Sequence, residues 1–499
     1  MATYKPITAV WEITMACNMR CMHCGSACSH ALPDELTTEE ALALCDDIGK
    51  LGMKWVTLSG GEPLTRKDWP KIAKRLNQNH VIPNLITNGW LLDEDTVKLM
   101  KESNLGTVAI SLDGTRETHD SIRCKGSFDK NMQAFKLLKQ NNQYSGAITS
   151  INKTNLKELN LIKEILINIG VDSWQLQICI PMGNMVNHPE ELVRPEDIDV
   201  ILDFCLKTAM EKQIIVYPAD CLGYYTEKEE LIRAISLGNP FFAPWSGCNA
   251  GRRGFGILHN GDILGCTSIR DRSFIEGNIR KRNLVEIWND ENAFQWMRNM
   301  TRSDLAGACK SCTYGDLCLG GCPNTRLTMN GSMKSENPYC SFKVAIDRLK
   351  EKIENYELQE ELFPKALNLA QEGHLQEAST ILEHLLKKKP NDEDILALTG
   401  YVNFFIGNYT RAKEANEEIL KQKPTHAYAN KGLGLILHKM GKTEKGIEYI
   451  KKAIEYADDN FLDPYYDLAT VYQEIGELDK AREINAEITK KRYPQKVSG

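Results

Sequence analysis

The chain has 499 residues, enough for two to four domains, with 42% hydrophobic and 26% charged residues. A net charge of −6 and a pI of about 6.0 give no electrostatic reason to expect nucleic acid or an anionic membrane surface as a partner. No apolar run approaches the ~18–20 residues of a membrane span, and the opening MATYKPITAVWEI has no signal-peptide core, so the expected location is the cytoplasm, where clustered cysteines read as ligands rather than disulfides.

Residues 1–215 alternate short apolar runs with amphipathic stretches. The predicted strands are AVWEITM (9–15), WVTLSG (55–60), PNLITN (83–88), TVAISLD (107–113), GAITSIN (146–152) and SWQLQICI (173–180). Helical patterns such as TEEALALCDDIGKLG lie between them and end on glycine, a common helix stop. Six strand–helix units predict an α/β fold, a partial (β/α)6 TIM-like barrel with its functional groups at the C-terminal ends of the strands.

Just past the first predicted strand comes MACNMRCMHC, with Cys17, Cys21 and Cys24 in ten residues. Three thiolates on one tight loop suit three irons of a [4Fe–4S] cluster and leave a fourth iron open. By spacing alone they also suit a structural zinc site completed by Cys28, His23 or His30. SGGEPL (59–64) follows the second strand, TNG (87–89) the third and SLDG (111–114) the fourth. Gly60 and Gly61 let backbone approach a ligand closely, and Glu62 is suited to accept from an ammonium.

Residues 216–247 read as a connecting segment, and 248–345 as an irregular Gly- and Cys-rich domain with a small β-hairpin and helices. In it, Cys248 and Cys266 bracket one segment, and Cys309, Cys312, Cys318 and Cys322 form C-x2-C-x5-C-x3-C ahead of Cys340. A linker helix at 346–360 leads into a repeat over 361–492. Gly373, Gly407, Gly441 and Gly476 recur at spacings of 34, 34 and 35. Small residues keep the same phase: Ala378, Ala412, Gly446 and Ala481 after each glycine, and Ala366, Gly400, Gly434 and Ala469 before it. That register predicts an all-α superhelix of about four tetratricopeptide repeats.

CNMRCMHC matches the C-x3-C-x2-C loop of the radical S-adenosylmethionine (SAM) enzymes, and with SGGEPL, TNG and SLDG in order the first 200 or so residues resemble that superfamily. The cysteine pattern from 248 to 340 resembles the SPASM domain, which holds auxiliary clusters. The resemblance implies SAM and three [4Fe–4S] clusters as cofactors. Cys17, Cys21 and Cys24 would hold the SAM cluster, Cys248, Cys266 and Cys322 one auxiliary cluster, and Cys309, Cys312, Cys318 and Cys340 the other. It implies SAM contacts at Gly60, Gly61, Glu62, Asn88, Ser111 and Asp113, with Asn152 and Gln177 on the fifth and sixth strands. His23 stands where an aromatic residue is common before the third cysteine, and an imidazole still stacks on adenine.

The implied chemistry is reductive cleavage of SAM to a 5′-deoxyadenosyl radical that abstracts hydrogen from substrate. The implied substrate class is a ribosomally made peptide or a protein, modified by a crosslink, thioether, epimerisation or oxidation. A small metabolite or tetrapyrrole is the alternative within the family, and a cluster-bearing interaction scaffold is the alternative outside it. Thr267 occupies the position where sulfatase maturases carry aspartate, which weighs against formylglycine formation. Strand one starts near residue 7 and leaves no room ahead of it for a leader-binding domain, so substrate recruitment is expected of the repeats, with an electron donor such as flavodoxin or ferredoxin. Cys221 is a candidate hydrogen-atom donor or fourth cluster ligand, and Asp220 a candidate proton acceptor. Cys28, Cys45, Cys124, Cys179 and Cys205 read as packed thiols.

Overall fold

The computed structural model describes residues 4–219, 221–224, 226–238, 247–356 and 358–492. It divides into two compact units, residues 1–344 without 311–313, and 345–499 with 311–313.

The first unit is built on one open ten-stranded sheet. In chain order the strands are β1 (Thr8–Thr14), β2 (Trp55–Gly60), β3 (Ile82–Thr87), β4 (Val108–Ser111), β5 (Ser145–Ile151), β6 (Ser173–Ile178), β7 (Ile215–Pro218), β8 (Gly254–Ile257), β9 (Asp262–Leu264) and β10 (Ile275–Asn278). The order across the sheet is β10-β9-β8-β1-β2-β3-β4-β5-β6-β7. From β8 to β7 every pairing is parallel, and β8–β9 and β9–β10 are antiparallel.

The six strands expected from the apolar runs are present, and the sheet extends beyond them at both edges. The segment 216–247, expected to be a connection, contributes the end of β7 and the helix Glu227–Leu237. At the other edge the Cys-rich region does form a hairpin, but its first strand pairs with β1, Thr8 opposite Gly254 through Trp11 opposite Ile257. One sheet therefore runs through both the barrel and the Cys-rich region.

Strand β1 shows why the site falls where it does. Side chains alternate between faces, so Ala9, Trp11 and Ile13 enter the apolar core while Glu12 and Thr14 turn to the other face. The helix Thr38–Lys50 covers the core with Ala41, Leu44, Cys45 and Ile48, spaced at one helical stripe. Thr37 and Glu40 close its first turn with a capping box, a feature worth about 1 kcal/mol. Cys45 and Cys205 are fully enclosed in this core, as packed thiols should be.

The second unit contains four helix pairs: Leu362–Gln371 with Leu375–Lys388, Glu393–Ile406 with Tyr409–Gln422, Ala427–Lys439 with Thr443–Tyr456, and Asp463–Glu474 with Leu478–Arg492. The four periodic glycines sit in the turn within each pair, at φ of +86, +82, +78 and +82°. Small residues lie where paired helices touch: a Cβ on Gly434 would come 2.7 Å from the Gly446 carbonyl and 2.6 Å from Ile450 Cγ1.

Candidate functional site

The loop carrying Cys17, Cys21 and Cys24 leaves the C-terminal end of β1 and is pinned at several points. Cys17 N donates to the Ser29 carbonyl at 3.1 Å and Met22 N to the Ile122 carbonyl at 2.9 Å. Asn184 donates to the carbonyls of both Cys21 and Cys24, from Nδ2 and N, each at 2.9 Å. Below it, Glu35 Oε1 accepts from Thr14 Oγ1, Met15 N and Leu32 N. Burial pushes the Cys17 thiol up and the Cys21 thiol up to about 11. Cys24 is held below the usual thiol range because Cys28 gives it a hydrogen bond. Cys28, expected as a packed thiol, is buried against Met15 Sδ and is also this partner of Cys24.

The glycines of SGGEPL are required by the end of β1. A Cβ on Gly60, at φ +137°, would lie 2.2 Å from the Thr14 carbonyl, and one on Gly61 would lie 2.1 Å from the Ala16 carbonyl. The close approach they permit is to the backbone that enters the cysteine loop, sealed by Gly61 N to Thr14 O at 2.8 Å and Glu62 N to Ala16 O at 2.7 Å. Glu62 is wholly enclosed. Its Oε1 accepts from Thr87 Oγ1 at 2.8 Å and Leu64 N at 3.1 Å, and its Oε2 from Asn88 N at 2.7 Å. Burial pushes its carboxyl up to about 7, against these donors. Through these bonds Glu62, expected from the resemblance to contact SAM, also braces the ends of β2 and β3 together. Asn88 ties the third strand end to the cysteine loop, Nδ2 to Asn18 Oδ1 at 2.7 Å.

Asp113, read from the sequence as a SAM contact, is also fully enclosed. Its Oδ2 accepts from His23 Nε2 at 2.8 Å and Arg123 Nε at 2.5 Å, and its Oδ1 from Ser150 N at 2.9 Å. Arg123 and His23 hold its carboxyl well below the usual carboxylate range, against the penalty of burial. Asp113 thus positions two residues of the loop mouth. His23 is thereby edge-bonded to Asp113. Ser111, Asn152 and Gln177 fall at the ends of β4, β5 and β6 as expected. Gln177 Nε2 donates to Ser150 Oγ at 2.9 Å, and Asn152 keeps a buried Nδ2 without an acceptor.

Arg123 is a residue the sequence reading missed. Its Nη1 lies 3.8 Å from Cys21 Sγ, and Asp113 fixes its other end. The only sequence signal was a basic residue one short helix after SLDG. A buried cation beside a three-thiol loop offsets the negative charge that thiolates on iron carry, so these residues fit the cluster the loop implies. Among the described residues no three His, Cys, Asp or Glu side chains are gathered closely enough for a single metal ion.

In the Cys-rich region, Cys248, Cys266 and Cys309 border one small apolar cluster of Ile269, Met297, Met300, Leu305, Leu319 and Met333. Cys266 lies within electrostatic reach of Cys322. Cys322 N donates to Tyr224 Oη at 2.9 Å, and Gly223 bridges to Cys340. The segment bearing Cys221 is therefore held beside Cys322 and Cys340 by its neighbours. Cys312 lies in the turn between helices Gly307–Lys310 and Gly315–Cys318. Asp220 lies outside the described residues.

Comparison with known proteins agrees with this architecture. Residues 11–165 match the radical SAM superfamily, 248–313 the SPASM iron–sulfur cluster-binding domain, and 427–460 a tetratricopeptide repeat. Curated relatives include the AdoMet-dependent heme synthase of Methanosarcina barkeri, 29% identical over 68% of this chain and 98% of that protein. The mycofactocin maturase MftC of Mycolicibacterium smegmatis is 26% identical over 67% of this chain and 82% of that protein. Among solved structures, Streptococcus suis SuiB bound to its precursor peptide SuiA has a TM-score of 0.53 at 15% identity, covering 66% of this chain and 75% of that one. The enzyme anSMEcpe with bound AdoMet and a peptide has a TM-score of 0.53 at 19% identity, covering 67% of this chain and 93% of that one. Those two likenesses establish the shared fold. The chain carries a radical SAM domain, a SPASM domain and a C-terminal tetratricopeptide repeat, and it is an enzyme. No described helix is long and apolar enough to cross a membrane.

Proposed function

We propose that the enzyme modifies a peptide or protein substrate recruited by its repeats. The observation that carries this reading is a groove of about 360 Å³ lined by residues of the helices Glu393–Ile406, Tyr409–Gln422, Ala427–Lys439 and Asp463–Glu474. Tyr401 and Phe405 reach into it 41% and 58% exposed, Tyr428 and Lys431 stack along it, and Asn416 forms part of its wall. Asn416 is 2% exposed, and its Oδ1 has no donor. A buried carbonyl oxygen without a donor is costly, and a peptide N–H brought into the groove would satisfy it. Large aromatic faces beside it supply the apolar contact an extended segment needs.

SAM with an iron–sulfur cluster, when bound, would supply the radical chemistry that takes hydrogen from a substrate. The chain's own part is to hold and shield. Cys17, Cys21 and Cys24 would anchor the cluster, and the strand ends at Gly60, Gly61, Glu62, Asn88, Ser111, Asp113, Asn152 and Gln177 would cradle SAM. Cys248, Cys266 and Cys322, and Cys309, Cys312, Cys318 and Cys340, would hold two auxiliary clusters and complete a set of three, with a flavodoxin or ferredoxin of the cytoplasm as the reductant. Cys221 is the candidate fourth ligand or hydrogen donor.

A second reading has its own support. Relatives named AdoMet-dependent heme synthase align over nearly their whole length, so a tetrapyrrole substrate is the competing class. The test supplies the reconstituted full-length enzyme with SAM, dithionite and either candidate precursor peptides or iron porphyrins, reading deoxyadenosine and substrate mass. Phe405→Ala and Lys431→Glu are predicted to cut peptide turnover at least ~10-fold while leaving substrate-free SAM cleavage unchanged. Unchanged peptide turnover in both variants would refute recruitment, and turnover of a porphyrin alone would favour the second reading.

A further inference from the structure

Arg326 is among the largest fully buried side chains of the protein, with no exposed surface. It lies on the helix Pro323–Asn330, whose N-cap is Cys322. Its Nη2 donates to the Leu319 carbonyl at 2.9 Å, next to Cys318. Its remaining contacts are weak: Nη1 to the Ser335 carbonyl at 3.5 Å and Nη2 to Met300 Sδ at 3.9 Å. Its Nε has no acceptor at all. Among the described residues no carboxylate forms an ion pair with it.

A guanidinium carries five N–H donors and a charge it does not lose. Burying one without a counter-ion costs several kcal/mol, so natural proteins pair such groups. The surroundings here are built to hold it. Gly320, at φ +80°, leaves the room: a Cβ there would stand 2.6 Å from Nη1. Gly321, at φ +73°, does the same for the Tyr224 ring, whose hydroxyl meets Cys322 N. Cys309, Tyr224, Cys318 and Cys322 lie within electrostatic reach of the guanidinium. Three of these four are cysteines read as auxiliary-cluster ligands, drawn from both ligand sets.

We infer that Arg326 is the counter-charge of the auxiliary iron–sulfur clusters, its spare N–H groups donating to the sulfurs held by Cys309, Cys318 and Cys322 and raising the potential at which those clusters accept an electron. The unpaired cation and the cysteines around it are then one feature: a cluster on thiolates is net negative and would supply the counter-charge. Hydrogen bonds and net charge near the sulfurs are the levers by which a protein sets cluster potential. The inference rests on the assignment of these cysteines as ligands, which iron and sulfide counts check separately.

The test uses Arg326→Met and Arg326→Lys in the full-length chain, before and after anaerobic reconstitution. An EPR-monitored redox titration reads the clusters. In Arg326→Met the reduced-to-oxidised ratio of at least one auxiliary cluster at fixed potential is expected to fall about tenfold, a downward shift of about 59 mV for one electron. Arg326→Lys, which keeps the charge, shifts less, and the SAM cluster does not move. Stability gives an independent readout that survives poor cluster loading. Arg326→Met is expected to melt higher than the parent before reconstitution, when the cation has no partner, and lower after it. Unchanged potentials, or a variant that melts lower in both states, would overturn the inference and leave Arg326 a packing residue.

Discussion

Arg270 grips Glu12 from 258 positions away: its Nη1 lies 2.9 Å from Oε2, and its Nη2 bonds Oε1. Ser26 Oγ joins the same carboxylate at 3.2 Å. Glu12 lies on the site-facing side of β1, Ser26 just beyond Cys24, and Arg270 just beyond Cys266. One ion pair thus fastens the SPASM segment to the loop of the first three cysteines.

The pair is unequal, which sets the first prediction. The Glu12 side chain is 5% exposed and that of Arg270 32%. Arg270→Met strands a buried carboxylate and is expected to cost about 3 kcal/mol in urea unfolding, the lower end for a broken buried pair. Glu12→Gln strands a guanidinium that still reaches water, and about 1 kcal/mol is expected. The double variant is expected to lose less than the sum of the two, because neither charge is left alone. Additive losses would show that the two side chains act independently.

His119 sets a pH dependence. It is fully enclosed, its Nδ1 accepts from Asp113 N at 3.0 Å, and burial lowers its pKa from 6.5 to about 4, with Arg123 adding and Asp113 opposing. The unfolded chain therefore binds a proton between pH 6.5 and 4 that the folded chain refuses, so stability present above pH 6.5 is lost as pH falls. By pH 5 the loss from this group is about 2 kcal/mol relative to neutral pH. Urea midpoints at pH 7.5 and 5 are expected to differ less in His119→Gln than in the parent. Equal differences would mean that His119 takes up its proton in the folded state.

Two glycines of the repeat region should respond oppositely in cause. Gly434→Ala gains about 1 kcal/mol of helix propensity but drives a Cβ to 2.7 Å from the Gly446 carbonyl, for a net loss of about 1–2 kcal/mol. Gly373 has open space around its missing Cβ, and there the cost is the left-handed φ of +86° alone, again about 1 kcal/mol. A Gly373→Asn change, which tolerates that φ, is expected to recover most of the loss, and Gly434→Asn is expected to recover none. Thermal unfolding of the four variants separates the two mechanisms.

Much of this architecture was legible in the residues. Apolar runs gave β1 to β6, and the period of 34 gave the four helix pairs. Strand β7 was not, because IVYP is four residues long and ends in proline, and neither was the pairing of β8 with β1, which joins residues 246 positions apart from Thr8 to Gly254. Two of the motif residues also have a structural part that the sequence does not show. Glu62 and Asp113 are polar residues in glycine-rich strand ends, and only the packed chain reveals the donors, Arg123 among them, that bond them. Arg123, Arg270 and Arg326 were missed for one reason: an arginine in sequence is a surface residue by default, and its burial is a property of the tertiary structure.

The most direct measurement is iron, sulfide and deoxyadenosine in one set of variants. The parent, reconstituted anaerobically, is expected to bind about twelve iron and twelve sulfide per chain and to release deoxyadenosine from SAM with dithionite. Cys17→Ala/Cys21→Ala/Cys24→Ala is expected to lose about four iron and all deoxyadenosine, while Cys45→Ala, in the core, keeps both. Zinc in place of iron in the parent, or deoxyadenosine formed without the three loop cysteines, would contradict the account.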